Sequence, residues 1–349
     1  MAVHILICLL AVSLPACKEI FNPQVEGLEG MVTVDGLITD EERFHQVRLF
    51  YTRGYSDHND PVAVSGAQVS VRDDQGNNYY FPENEPGIYI AEVPFQGVTG
   101  RSYVLHIVSR EGKKYESYPQ QMLPLAPLDS AFGEFGVLQI VEQNFDGNYF
   151  VRTYPGVEVF INIGLAEDSI PQMRYEARIL QLYHREAVTG NTYYWRKFGD
   201  KGPPNINLPG LGSGVGGLKN HYLTFVPFSR LYYRIQEELN MNGRYVLIKK
   251  FRINQDSYDF YKDVRSQLSG DGNLFDPIAP QISGNVVCVS HPADKVLGLF
   301  EVASSGSVTY SVYAVPETGN IQIEPFDDLN YLPSTGSIFD TIPYFWRWV

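Results

Sequence analysis

The sequence has 349 residues, which is more than one hydrophobic core usually organises, so two domains are the first expectation. Its 44% apolar and 13% aromatic residues can fill a real core and exclude wholesale disorder. The 27 Lys and Arg residues against 40 Asp and Glu residues give a net charge of −13, which repels a phosphate backbone and excludes nucleic acid as an expected partner.

The N-terminal residues have the features of an export signal. An uncharged apolar stretch from Ile5 to Leu14 is about half as long as the ~20 residues that a membrane-spanning helix requires. The Leu14-Pro15-Ala16-Cys17 sequence resembles the lipobox of bacterial lipoproteins, in which cleavage precedes a Cys that carries a diacylglycerol. The alternative is an ordinary secretory signal that is cut after Ala16. We expect residues 1–16 to be the signal peptide, Cys17 to be lipidated and inserted in the bilayer, and residues 17–30 to form a tether.

Residues 30–128 are predicted to form a β-sandwich. From Met31 to about Leu128 apolar and polar residues alternate with a period of two, as in Val47-x-Leu49-x-Tyr51, and turn residues interrupt the alternation every eight to twelve or so positions. The Asp73–Asn77 segment supplies the turn of one hairpin. The pattern predicts a self-contained immunoglobulin-like or transthyretin-like sandwich, and the prolines at 124 and 127 predict its boundary.

Residues 129–349 are predicted to form a larger, β-rich domain with two short helices. Strand-like runs occur at 136–141, 157–163 and 175–184, and a helix stays open for the last of these. Two further runs, 296–303 and 308–314, predict two strands joined across Ser304-Ser305-Gly306. Ser229 is the expected cap of a helix that ends at Asn242-Gly243, and Ser257 that of a second helix, with Phe260, Val264 and Leu268 on one face and a stop at Gly270.

The sequence contains no catalytic or metal-binding motif of a familiar kind. It has no G-x-S-x-G, no H-x-x-x-H and no C-x-x-C, so neither a catalytic residue nor a metal ligand is predicted, and no cofactor is expected. Gly212-x-Gly214-x-x-Gly217 matches a dinucleotide fingerprint in letters only, because no strand–turn–helix context surrounds it. Cys288 lies in an apolar strand-like run and is interpreted as a buried structural residue.

Several longer segments carry a resemblance to a known family. They are Val34–Asp40, Phe251–Lys262, Phe275–Pro277, Ser283–Val286, Val296–Ser304 and the closing Pro343-x-Phe345-Trp346. In order and spacing they are similar to a Bacteroidota lipoprotein family catalogued as domain of unknown function 4249. The resemblance implies an outer-membrane lipoprotein, facing the periplasm or the cell surface, of a kind often encoded beside TonB-dependent receptors.

Three functions are compatible with these features. The favoured hypothesis is a non-catalytic accessory lipoprotein that docks on a TonB-dependent outer-membrane transporter. The first alternative is a stand-alone surface module that binds glycans or mediates adhesion, and the second is a hydrolase with an unrecognised site. The aromatic residues Tyr344, Phe345, Trp346 and Trp348 form a candidate tail that packs on the protein itself or docks on a partner.

Overall fold

The computed structural model describes residues 30–53, 60–126, 128–163, 171–185, 192–198, 208, 218–228, 240–268, 282–315 and 320–325. Within these ranges the protein is mainly β, as the period-two alternation predicted. The elements in chain order are β1 (Val32–Thr39), β2 (Gln46–Tyr51), β3 (Val62–Ala63), β4 (Gln68–Asp73), β5 (Asn78–Phe81), β6 (Glu83–Glu85), β7 (Ile88–Ile90), β8 (Ser102–Val108), β9 (Lys114–Ser117), β10 (Gln120–Gln121), β11 (Leu128–Gln143), β12 (Tyr149–Ile163), β13 (Met173–Arg185), β14 (Thr192–Phe198), β15 (Leu218–Pro227), β16 (Asn240–Arg252), α1 (Gln255–Leu268), β17 (Val286–Cys288), β18 (Val296–Val315) and β19 (Asn320–Pro325).

These strands form three sheets. The largest has the order β14-β13-β16-β18-β1-β2-β7-β6, with β19 paired to β18 and β3 paired to β2. The second has the order β17-β9-β8-β4-β5, with β10 paired to β8, and the third has the order β11-β12-β15. Within the described ranges, no helix combines the length and apolar character that a membrane crossing needs.

The first hydrophobic core lies between one half of the largest sheet and the second sheet. The alternation predicted for β2, β4 and β8 is confirmed, because Val47 and Leu49, Val69 and Val71, and the odd-numbered residues of β8 all face this core. The predicted turn between β4 and β5 is also confirmed. The Asp73 carboxylate accepts hydrogen bonds from the backbone N–H groups of Gln75 and Asn77, at 3.0 and 2.8 Å.

Strands from far along the chain complete this first core. β17 pairs with β9, and the first eight residues of β18 pair in parallel with β1. Their buried side chains, Val286, Cys288, Phe300 and Val302, belong to the same hydrophobic cluster as the strands of residues 30–128. The sandwich that the sequence places within residues 30–128 therefore incorporates segments from beyond residue 280, which a local alternation pattern does not reveal.

The second core lies between the other half of the largest sheet and the third sheet. It is filled from β12 and β15 on one side and from β13, β16 and β18 on the other. β18 contributes Phe300 and Val302 to the first core and Tyr310 and Val312 to the second. This one strand therefore joins the two cores into a continuous structure.

Two sequence predictions about strands are settled by their pairing. Residues 296–315 form the single strand β18, so the predicted break at Ser304-Ser305-Gly306 is wrong. The polar groups there are used in contacts with other segments: the Ser304 hydroxyl donates to the Leu123 carbonyl at 2.6 Å, and the Ser305 N–H donates to the Asp40 carboxylate at 2.7 Å. Residues 175–184 lie in the strand β13, which is paired on both sides, so the helix alternative is excluded.

The helix predicted near Ser257 is confirmed as α1, with two corrections. Its N-cap is Asn254, whose side-chain oxygen accepts the N–H of Ser257 at 3.0 Å, and not Ser257 itself. Tyr258 and Tyr261 pack in the hydrophobic cluster that contains Phe251, whereas Phe260 and Val264 of the predicted face do not belong to that cluster. Aromatic contacts, and not the aliphatic spacing, thus orient this helix on the sheet.

The other predicted helix is only partly covered by the described residues. Residues 229–239 lie outside them, and residues 240–252 form the strand β16, so the predicted helix end at Asn242-Gly243 is wrong. The register between β13 and β16 shifts at this point: Leu182 pairs with Gly243 and Tyr183 pairs with Met241, so Asn242 is the extra residue. The Asn-Gly pair therefore marks a β-bulge and not a helix stop.

Candidate functional site

The site residues predicted from the sequence lie outside the described residues. This holds for Cys17 and for Tyr344, Phe345, Trp346 and Trp348 of the tail. The described part of the chain instead offers two other features: a protruding hairpin with exposed apolar side chains, and a group of three metal-ligand side chains beside a pocket.

The hairpin is formed by β11 and β12, which pair along their full length from Leu128–Ile163 to Gln143–Tyr149. β15 pairs with β12 only from Gly156 onward, so the part of β12 nearer the turn has β11 as its only strand neighbour in the described structure. Residues 137–155, here called the hairpin arm, therefore extend beyond the end of β15, the third strand of this sheet. β11 is an edge strand of that sheet, and an edge is a ready template for a partner.

The turn at the tip of the hairpin arm is well defined by hydrogen bonds. The Asn144 side-chain oxygen accepts the N–H groups of Asp146 and Asn148 at 3.1 and 2.8 Å, and Gly147 adopts a φ of +82°. A left-handed residue after such a turn is a common way to close a short hairpin. The turn holds Phe145 at the tip with its side chain fully exposed, at 109% of the reference area.

One side of the hairpin arm is apolar and uncharged. Residues that pair directly across an antiparallel ladder point to the same side, so Val141 lies beside Val151, and Tyr149 lies beside Gln143. The remaining pairs on this side combine neutral residues, namely Val137 with Pro155 and Gln139 with Thr153. We call the exposed apolar residues of this side and tip the hairpin face: Val137, Val141, Phe145, Tyr149 and Val151.

The other side of the hairpin arm carries its charged side chains, next to apolar ones, and is internally bonded. The Glu142 carboxylate accepts a hydrogen bond from the Tyr154 hydroxyl at 3.1 Å and pairs with Arg152 at 3.2 Å. Burial raises the pKa of Tyr154, which keeps its hydroxyl protonated as a donor. The guanidinium of Arg152 also lies 5.4 Å from the centre of the Phe150 ring. These contacts connect β11 and β12 on the side of the arm that is opposite the hairpin face.

The second feature lies at the end of β17. Cys288, His291 and Asp294 each offer one ligand atom, and these atoms lie within 4.8 Å of one another. Cys288 is 2% exposed, which confirms its interpretation as a buried residue, whereas His291 is exposed and Asp294 is intermediate. We call these three residues the Cys–His–Asp cluster.

The backbone around the Cys–His–Asp cluster is fixed by the neighbouring strand. Cys288 pairs with Tyr115 in the β17–β9 ladder, and the Asp294 N–H donates to the His291 carbonyl at 2.9 Å to close a turn. The Ser290 hydroxyl accepts the N–H of Lys114 at 3.0 Å and lies 3.0 Å from Nδ1 of His291. Ser290 therefore connects the His291 ring to the strand scaffold.

A lysine partly neutralises the Cys–His–Asp cluster. The ammonium group of Lys113 donates to the Asp294 carboxylate at 2.6 Å, and both side chains are about 40% exposed, at 42% and 38%. This hydrogen bond raises the pKa of Lys113 and lowers the pKa of Asp294, so both groups are charged near neutral pH. Beside them lies a pocket of about 530 Å³ that is lined by Tyr51, Lys113, Tyr115 and Asp294, among others.

Comparison with protein families gives a match that covers most of the chain. Residues 18–309 match the family model described as "Domain of unknown function (DUF4249)". The chain belongs to this family. The matched range includes both the hairpin arm and the Cys–His–Asp cluster, so these features lie within the family's domain and not in an added segment. No curated protein and no solved structure matches the chain.

Sequence reasoning missed both features, although signals for each are present. The hairpin arm is marked by Asn144-x-x-Gly147-Asn148 between two alternating runs, which is a hairpin turn signal. The cluster is marked by the spacing Cys288-x-x-His291-x-x-Asp294. A search for paired histidines or paired cysteines does not detect a site that takes one ligand of each type.

Proposed function

We propose that this protein is a lipid-anchored, non-catalytic accessory protein that binds a TonB-dependent outer-membrane transporter through its hairpin face. The observation that carries the proposal is the uncharged apolar side of the hairpin arm, which projects Phe145 and Tyr149 into solvent at 109% and 73% exposure. Exposed apolar patches of this kind mark interaction sites, because leaving them in water is unfavourable.

The composition of the hairpin face suits a protein partner. Aromatic residues that fill pockets of a partner commonly contribute about 2 kcal/mol or more each, and the surrounding aliphatic residues exclude water. The face carries no charged side chain, whereas the other side of the arm carries Glu142 and Arg152. The arm is also stiffened by its turn and by the Glu142 contacts, so little conformational entropy is lost on docking.

The hairpin face is tested by site-specific crosslinking in cells. A photo-crosslinking residue at position 145 is expected to capture one outer-membrane protein, identified by mass spectrometry as a TonB-dependent receptor. The same residue at position 80, which replaces the similarly exposed Tyr80 on β5, serves as the matched control and should capture none. The double substitution Phe145→Ser with Tyr149→Ser should weaken binding of the purified receptor at least ~30-fold, because it removes two aromatic anchors.

Two results would contradict this proposal. Equal crosslinking from positions 80 and 145 would show that the hairpin face is not a specific contact. The second result is that the protein captures no receptor but is retained on polysaccharide, and that the double variant loses this retention. It would support the stand-alone glycan-binding alternative, because exposed aromatic rings also stack on sugars.

The anchoring part of the proposal rests on Leu14-Pro15-Ala16-Cys17. We expect mass spectrometry of the mature N-terminus to find a lipid-modified Cys17, and Cys17→Ser to move the protein from the membrane fraction to the soluble fraction, because stable anchoring requires more than one acyl chain. Cys288→Ser is the control and should leave the fractionation unchanged. A mature N-terminus elsewhere, without lipid, would contradict the expectation, and protease treatment of intact cells distinguishes a surface location from a periplasmic one.

A further inference from the structure

We propose that the Cys–His–Asp cluster binds a zinc-like divalent transition metal. The proposal rests on the convergence of three ligand types from a seven-residue segment, Cys288 to Asp294, with all three ligand atoms within 4.8 Å of one another. It is independent of the transporter hypothesis, since the cluster and the hairpin arm lie on different sheets.

The ligand set selects the class of metal. A thiolate and an imidazole suit Zn²⁺ and its neighbours, whereas Ca²⁺ and Mg²⁺ require mainly oxygen ligands. In a tetrahedral zinc site, ligand atoms lie about 3.3–3.8 Å apart, because the metal–ligand bonds are about 2.0–2.3 Å long. Separations of up to 4.8 Å exceed this range by about 1 Å, so the ligand atoms must move about 1 Å closer together to bind the metal. Rotation of the exposed His291 side chain and the half-exposed Asp294 side chain can supply it.

The surroundings supply the supporting contacts that a metal site needs. Metal-bound histidines usually make a hydrogen bond through the second ring nitrogen, which fixes the ring and its tautomer. Ser290 lies 3.0 Å from Nδ1 of His291, and its own hydroxyl is held by the N–H of Lys114. Cys288 pairs with Tyr115 in the β17–β9 ladder, so the backbone position from which its thiol extends is fixed. The buried thiol thus provides the rigid ligand, and the two exposed side chains close around the metal.

Lys113 acts as an exchangeable cation in this arrangement. Its ammonium group balances the Asp294 carboxylate, and its half-exposed side chain can swing into solvent when a metal takes that carboxylate. Three protein ligands leave a fourth position of the tetrahedron, and this position is available to water or to a small molecule in the neighbouring pocket. Removing the lysine should therefore strengthen metal binding, which a purely structural role of the cluster does not predict.

The experiment uses the full chain with Cys8→Ser and Cys17→Ser, so that Cys288 is the only thiol. Titration with Co²⁺ is expected to give a near-ultraviolet thiolate-to-metal absorption band that saturates at one equivalent and disappears when Zn²⁺ is added. Cys288→Ser should abolish the band. His291→Ala and Asp294→Asn should each weaken binding at least ~10-fold, because each removes a ligand, and Lys113→Met should strengthen it several-fold.

His106 and Glu116 provide the matched control. They form a histidine–carboxylate pair at 3.4 Å on the same sheet, outside the cluster, so His106→Ala should leave the Co²⁺ affinity unchanged. His291→Ala and Asp294→Asn alter an exposed and a half-exposed group, so the two variants are expected to fold even where Cys288→Ser disrupts the core. The absence of a thiolate band would overturn the proposal by showing that there is no site. A Co²⁺ affinity that is unchanged in the His291 and Asp294 variants would also overturn it, by showing only adventitious binding to the thiol.

Discussion

Replacing Gly298 by alanine is expected to remove at least about 4 kcal/mol from the free energy of unfolding, a loss found only for a few severe mechanisms. Gly298 pairs with Val34 in the parallel ladder of β18 and β1 and has a φ of +89°. A Cβ at this position lies 1.9 Å from the carbonyl oxygen of Val34, which is a backbone atom and cannot rotate away. The substitution therefore forces β1 and β18 apart, and both strands contribute to the first core.

Gly112→Ala is the control that isolates the cost of the backbone angle. Gly112 has a similar φ of +84°, and a Cβ there meets no atom within 4 Å, so we expect a loss of only about 1 kcal/mol. Urea unfolding of the two variants measures the difference directly. If Gly298→Ala is insoluble, the comparison is made on the soluble yield of both variants. Equal stability of the two variants would show that β1 and β18 are not paired at this point.

The local parts of the fold could be predicted from the sequence, and the pairing of distant strands could not. Alternation in Val47-x-Leu49 and the Asp73–Asn77 turn identify strands and a hairpin, because both signals act over a few residues. Such signals do not specify that β1 pairs with β18, since a strand with one buried face fits many partners. The sequence therefore assigns residues 282–303 to the second domain, although side chains from this segment complete the first core.

The errors at turn and cap residues have a common physical cause. Ser304, Ser305 and Gly306 suggest a turn, but all three pair with β16, so the strand continues through them. The two serines also bond to Leu123 and Asp40. Asn242-Gly243 suggests a helix end, but an Asn-Gly pair also suits the extra residue of a bulge. Each signal reports a local preference that tertiary hydrogen bonds can use in another way.

The candidate sites were missed for different reasons. The hairpin face consists of apolar residues that resemble core positions in the sequence, and only their exposure in the folded chain shows that they are not part of a core. The Cys–His–Asp cluster is contiguous in sequence, so its spacing was available. Cys288 taken alone is a typical buried core residue, and its partners became significant only when the turn after β17 brought their ligand atoms together.

The second large effect is expected at a buried ion pair beneath α1. The Arg174 guanidinium donates to the Glu301 carboxylate at 2.9 Å and to the Glu176 carboxylate at 2.5 Å, and it lies 4.1 Å from the centre of the Phe251 ring. Burial has the largest single effect on the pKa of Arg174 and lowers it. The charge of Glu301, the neighbouring Tyr261 and Glu176, and the hydrogen bond to Glu301 together outweigh burial and raise the pKa above its ordinary value. Glu301 is 2% exposed, so it depends on Arg174 for the neutralisation of its charge.

Arg174→Met is therefore expected to cost about 3–5 kcal/mol, because it leaves the Glu301 carboxylate buried without its counter-charge. The double variant Arg174→Met with Glu301→Leu should recover most of this loss, since a buried ion pair is often no more stabilising than apolar residues of similar volume. Arg48→Met is the surface control. Arg48 and its partner Asp35 are both half-exposed, so Arg48→Met should lower the free energy of unfolding by no more than about 1 kcal/mol. Urea unfolding at pH 7 measures all three variants.

A double-mutant cycle of Arg174→Met and Glu301→Leu distinguishes an unpaired charge from simple loss of packing. Without Arg174, the Glu301 carboxylate stays buried, at 2% exposure, and lacks the guanidinium that donates to it. Glu301→Leu should therefore raise the stability of Arg174→Met, although the same substitution should lower the stability of the wild type, where it leaves Arg174 without its partner. If Glu301→Leu lowers stability equally in both backgrounds, the cause of the Arg174→Met deficit is lost packing around Phe251 and Tyr261, and the ion pair is not the stabilising element.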